Sequence, residues 1–132
     1  MPSQDVNEIT GKIIGGAYTI SNALGIGFVE KVYENALAHE IRKMDLKVEQ
    51  QARLKVFYDG VMVGDFYADL LVEDRVLVEL KAVSALVTEH TAQALNYLRA
   101  TRVEICLLIN FGTPKVQIKR LLPSVNWKCS SA

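Results

Sequence analysis

Cysteine is scarce in this chain of 132 residues: only Cys106 and Cys129 are present. Two thiols without ladder-like spacing exclude a disulfide-stapled scaffold, and reduced thiols are the expectation. Cys106 lies in the apolar run 105–109 and reads as a small core residue. Net charge is missing too, since 15 Lys and Arg balance 15 Asp and Glu. That excludes a chain coated in basic surface, so any nucleic-acid contact must come from a local patch. No apolar run approaches the roughly 20 residues that a membrane helix needs. Residues 1–7 are polar and lack the apolar stretch of a signal peptide. A soluble, cytoplasmic protein without membrane contact is therefore expected. There is no internal repeat and no low-complexity stretch.

What is present suits one domain with one core across 1–132, since half the residues are apolar. Ile9, Ile13, Ala17, Ile20 and Leu24 recur at helical spacing. They predict a helix over 5–23, weakened by Gly15-Gly16 in its middle. Gly25 and Gly27 break it. A second helix is predicted over 28–44, with Tyr33, Leu37, Ile41 and Met44 on one stripe. The period then changes. Residues 48–58 and 61–72 read as strands joined by Asp59-Gly60, a strong hairpin signal. A polar turn over 73–75 leads to a strand at 76–81. A helix over 88–101 follows, with Thr88 as its candidate N-cap. Residues 105–110 suit a buried central strand. Gly112-Thr113-Pro114 turns the chain into a last strand over 116–121, and 122–132 reads as a loose tail. The order ααβββαββ predicts an α/β sandwich around a mixed sheet.

Three charged residues interrupt apolar strands. By alternation, Asp69 shares a face with Tyr67 and Leu71, while Glu79 and Lys81 share a face with Leu77. A three-residue turn over 73–75 pairs 72 with 76 and sets Asp69 opposite Glu79, with Cβ atoms roughly 5 Å apart. Two carboxylates that close repel unless a cation lies between them, and Mg²⁺ typically takes one or two carboxylates plus waters. A two-residue turn would send them to opposite faces. Asp74 suits the left-handed backbone that the longer turn needs. The ordinary alternative is a solvated hairpin with an Asp69–Lys81 or Glu79–Lys81 ion pair. Glu30 precedes Tyr33 and Leu37 by three and seven residues and so falls on the apolar stripe, where a carboxylate needs a partner. Gln93 and Tyr97 stand one turn apart on the third helix. Arg53, Lys55, Arg99, Arg102, Lys115, Lys119 and Arg120 are candidate phosphate-binding cations.

Five segments occur in a familiar order: Gly27-Phe28-Val29-Glu30-Lys31-Val32-Tyr33, Ala68-Asp69, Glu79-Leu80-Lys81-Ala82-Val83, Gln93-Ala94-Leu95-Asn96-Tyr97 and Leu107-Leu108-Ile109-Asn110-Phe111. Over about residues 8–121 the chain resembles the GxxExxY family of the PD-(D/E)XK nuclease superfamily. The motif's Pro is Ala68 here, and the glycine before Leu-Leu-Ile-Asn-Phe is Cys106. The resemblance implies a restriction-endonuclease-like fold and hydrolysis of phosphodiesters. It implies Asp69, Glu79, Glu30 and the backbone carbonyl of Leu80 as ligands to Mg²⁺, with Mn²⁺ as a substitute. Lys81 would be the catalytic lysine, and Gln93 and Tyr97 would support the site and touch substrate. Nucleic acid is the implied partner, DNA ahead of RNA. A homodimer is compatible with this, the last strand supplying an exposed apolar edge. A module of the same fold that binds nucleic acid or a protein partner without cutting is the alternative.

Overall fold

The computed structural model describes residues 4–101 and 103–123. Its elements are helices α1 (Val6–Leu24) and α2 (Glu30–Lys43), strands β1 (Val48–Tyr58), β2 (Val61–Val72) and β3 (Val76–Lys81), helix α3 (Thr88–Thr101), and strands β4 (Ile105–Asn110) and β5 (Gln117–Leu121). The five strands form one sheet in the order β1-β2-β3-β4-β5. All neighbours are antiparallel except β3 and β4, whose parallel pairing requires the α3 crossover. The expected order of elements and the mixed sheet flanked by helices are both found.

Helices α1 and α2 cover one face. Asp5 caps α1, its carboxylate accepting the Asn7 N–H at 2.8 Å, and Gly25 ends it at φ 69°. Ile9, Ile13, Ala17 and Ile20 meet Tyr33, Leu37, Ala38 and Ile41 of α2 over Leu70, Val72, Val78 and Leu80. Gly16 serves this contact. A Cβ there would sit 3.3 Å from Leu37 Cδ1, so glycine's cost to the helix is offset by close approach of α2. Helix α3 covers the other face, with Ala94 and Leu98 packed on Leu54, Ala68, Leu77 and Cys106. Thr88 is the first residue of α3 rather than its cap. Ahead of it, the Val87 N–H donates to His90 Nδ1 at 3.1 Å.

Two turns adopt the backbone that their sequences predict. Asp59 and Gly60 have φ of 53° and 77°, as a two-residue hairpin turn with matching twist requires. Glu73 and Asp74 have φ of 53° and 55° and hold the 73–75 turn, which pairs Val72 with Val76. Beyond the helices, the β1–β2 hairpin carries exposed Phe57, Tyr58, Val61 and Val63. Strand β5 is an edge, but its exposed residues are Gln117, Lys119 and Arg120 while Ile118 and Leu121 pack inward. Its two apolar residues are half-buried on opposite faces of the sheet, so the side chains exposed along this edge are polar. Cys106 is buried and free. Cys129, Arg102 and tail residues 124–132 lie outside the described residues.

Candidate functional site

The β2–β3 ladder runs only from Val72↔Val76 to Leu70↔Val78. At the next position side chains take over from the backbone. The Asp69 N–H donates to Glu79 Oε1 at 3.2 Å, and the Leu80 N–H donates to Asp69 Oδ2 at 2.7 Å. The two carboxylates are therefore neighbours, and each holds the other strand's amide. The expected face is corrected, however. Ala68 packs against α3 while Leu70 packs against α1 and α2, although both are even-numbered. Asp69 cannot share a face with both exposed Tyr67 and Leu71, because the strand turns over at Asp69. Asp69 and its opposite number Gln51 both drop out of the β1–β2 pairing, and Gln51 has φ 53°.

Glu79 is only 6% exposed. Burial, followed by the charge of Asp69, pushes its carboxyl from 4.5 up to about 8. The Asp69 N–H and Lys81 act in the opposite direction. Burial also raises the Asp69 carboxyl. The Leu80 N–H and the Gln51 amide hold it down, while Glu34 and Glu30 push it up. Two desolvated carboxylates, the charge of Asp69 raising the proton affinity of Glu79, form a hard-oxygen donor set with no ion-paired cation among the described residues. Among the described residues, no three His, Cys, Asp or Glu side chains close on one point. The set is thus a pair of hard oxygen donors, a chemistry that suits a hard divalent cation.

Lys81 continues the face of β3 that carries Glu79. Among the described residues it ion-pairs with neither carboxylate. Its ammonium donates to Gln93 Oε1 at 3.3 Å. The Tyr97 hydroxyl lies near Gln93, and its pKa is raised by burial and then by Glu79 and Asp69. The Tyr97 ring stacks on Phe66 with centroids 4.4 Å apart. Gln93 and Tyr97 thus link the charged cluster to a groove of about 610 Å³, which Phe66, Asn96 and Arg99 also line. Asp69 and Glu79 do not line that groove.

The far end of β3 is clamped by β4. Buried Asn110 accepts the N–H groups of Val83 and Gly112 at 3.0 Å each and donates to the Val83 carbonyl at 2.9 Å. The Phe111 N–H donates to the Lys81 carbonyl at 2.8 Å. A Cβ on Gly112 would lie 2.3 Å from Val83 backbone atoms, so only glycine allows the clamp to close.

Glu30 departs from the expected stripe. It is exposed on the first turn of α2, where a negative charge also favours the helix N-terminus. Its charge still reaches both Asp69 and Glu79. The buried carboxylate of α2 is Glu34, 3% exposed, which the spacing argument missed. The signal was available, for Glu34 precedes Leu37, Ala38 and Ile41 by three, four and seven residues. Glu34 Oε1 accepts from Gln51 Nε2 at 2.7 Å, and the same nitrogen donates to Asp69 Oδ1 at 3.3 Å. No sequence pattern singles out Gln51.

The cations separate into groups. Arg53 forms a bidentate pair with Asp65 at 2.8 and 2.7 Å, and Arg120 ties β5 to Thr10 and Asn7. Lys119 reaches Thr91, while Lys55 and Lys115 are exposed. Arg99 lines the groove beside Tyr97.

A carboxylate pair at a strand break, followed by a lysine two residues on, is one landmark of a nuclease class. The profile of the PD-(D/E)XK nuclease superfamily matches residues 7–121. The chain belongs to that superfamily, whose members generally use divalent metal ions. Among solved structures, the alkaline exonuclease LHK-Exo from Laribacter hongkongensis is similar over 98% of this chain and 76% of that one, with a TM-score of 0.56 and 14% identity. The protein SSO0001 is similar over 73% of this chain, with a TM-score of 0.55 and 14% identity. The matched region spans about half of SSO0001, 51% of its length. At such identity the likeness is one of fold. A search of curated protein sequences gave no significant match.

Proposed function

We propose that the chain is a metal-dependent nuclease of the GxxExxY type that hydrolyses phosphodiester bonds of nucleic acid. The observation that carries this reading is the reciprocal grip of Asp69 and Glu79 on each other's strand, with Lys81 next along the same face. Asp69, Glu79 and the Leu80 carbonyl would hold Mg²⁺, or Mn²⁺ in its place, with Glu30 acting across water. The bound cation supplies charge to a phosphoryl oxygen and acidity to a water. Lys81 offsets negative charge that develops on the phosphate. Gln93 holds the Lys81 ammonium, and Tyr97 lines the groove beside Gln93. DNA is proposed ahead of RNA, and a homodimer working in the cytoplasm would supply two sites for two strands.

The test is a cleavage screen over single-stranded, duplex, flapped and branched DNA and RNA with Mg²⁺ or Mn²⁺. The wild type should cut at least one substrate. Asp69→Ala and Lys81→Ala should abolish cutting while keeping the wild-type circular dichroism. Equal trace activity in all three proteins would make the chain a binding module of the same fold.

A further inference from the structure

We infer that Gln51, anchored by the buried Glu34, is a positioning residue for Asp69. The inference rests on the reading of Asp69 as a metal carboxylate only for its consequence, not for its geometry.

Gln51 Nε2 carries two hydrogens, and two carboxylates take them: Glu34 Oε1 at 2.7 Å and Asp69 Oδ1 at 3.3 Å. Only the NH₂ end of an amide can face two acceptors, so the chemistry fixes which way the side chain lies. Glu34 is held in turn. Its Oε2 accepts from Lys31 Nζ at 3.1 Å and from Gln50 Nε2 at 2.8 Å. Asp69 Oδ2 meanwhile accepts the Leu80 N–H at 2.7 Å. Both oxygens of Asp69 are thus oriented, one by β3 and one by Gln51. Outer partners of this kind set the direction in which a ligating carboxylate presents its free lone pairs.

The backbone gives a second, independent observation. Gln51 has φ 53°, a left-handed conformation unusual for a long side chain, and it sits unpaired between Gln50↔Leu70 and Ala52↔Ala68. The sheet turns over at this point. A glycine would fit the same backbone without strain, but it would leave Glu34 and Asp69 with no donor between them. The strained residue is the one whose side chain spans the two carboxylates.

Gln51→Gly separates positioning from stability. The variant should stay folded with a melting temperature close to wild type, because glycine's relief of the backbone offsets the two hydrogen bonds lost. In the metal-free protein, the NMR resonance of the Leu80 amide should move and its hydrogen exchange should quicken, since Asp69 is no longer held at Oδ1. Mn²⁺ binding, followed by electron paramagnetic resonance, should weaken about tenfold. Glu34→Leu should act in the same direction with smaller changes. An unchanged Leu80 amide in Gln51→Gly overturns the inference, and so does unchanged Mn²⁺ affinity. If wild-type protein cuts no nucleic acid while the Leu80 amide responds as stated, the nuclease reading fails and the positioning role stands.

Discussion

The two halves of the β2–β3 hairpin differ in what holds them together. From Val72↔Val76 to Leu70↔Val78 the backbone pairs with itself and every side chain but that of Leu71 is buried. One step further, the amides of Asp69 and Leu80 pair with carboxylates. The first half contributes stability through apolar burial. The second gives up stability, because two desolvated acids stand together and one is pushed up to about 8. The comparison teaches that the site lies where the sheet stops satisfying itself, and that the ordered half keeps the other half in register.

The sharpest way to break the comparison is to neutralise the open half. Asp69→Asn keeps the size of the side chain and an oxygen for the Leu80 N–H. Cleavage should fall on the order of 10³-fold or more, as loss of a metal carboxylate worth several kcal/mol implies. Timed digestion in Mg²⁺ measures it, and an unchanged melting curve excludes unfolding as the cause. The converse change, Leu70→Ala in the closed half, should cost roughly 2–5 kcal/mol of stability. Urea unfolding would show it, and the activity per folded molecule should hold.

The open half should also respond to pH. Glu79 has a folded value of about 8 against an ordinary 4.5. Between these values the folded chain keeps a proton that the unfolded chain has released. The contribution of Glu79 to metal-free stability is therefore full below pH 4.5 and is lost as pH rises toward 8, with Asp69 acting in the same direction. Melting temperatures in EDTA should fall over this interval by the equivalent of up to about 5 kcal/mol. Glu79→Gln should flatten the slope, whereas a flat wild-type profile would show that the pair is not strained by its charge. Tyr97→Phe is the smallest perturbation. It keeps the stack on Phe66 and removes only the hydroxyl near Gln93, so turnover should drop by no more than about fivefold, near 1 kcal/mol. Steady-state kinetics on any substrate found would test it.

Much of the frame was legible because periodicity is a local property. The stripe Ile9, Ile13, Ala17 and Ile20 and the pair Asp59-Gly60 specified helix and hairpin without reference to distant residues. The pairing of Val72 with Val76 was legible too, since turn length alone sets it. The parity of Asp69 was not. Strict alternation assumes a regular strand, and Gln51 breaks the regularity from a neighbouring strand. Glu30 and Glu34 were confused because both fit a helical stripe. Which of them is buried depends on how α2 meets β1, where Gln50 and Gln51 receive Glu34. Gly15-Gly16 read as a weakness because the partner helix that needs Gly16 cannot be seen along one helix.

The amino-acid sequence by itself determined the elements, their order and the charged residues of the hairpin, since these follow from side-chain period, turn chemistry and chain length. Tertiary structure alone decided that Gln51 lies between two carboxylates, that Lys81 is handed to Gln93 and that Gly112 lets β4 clamp the end of β3. Each of these joins residues on different elements. Desolvation and backbone clearance arise only when elements pack, and no local pattern records them.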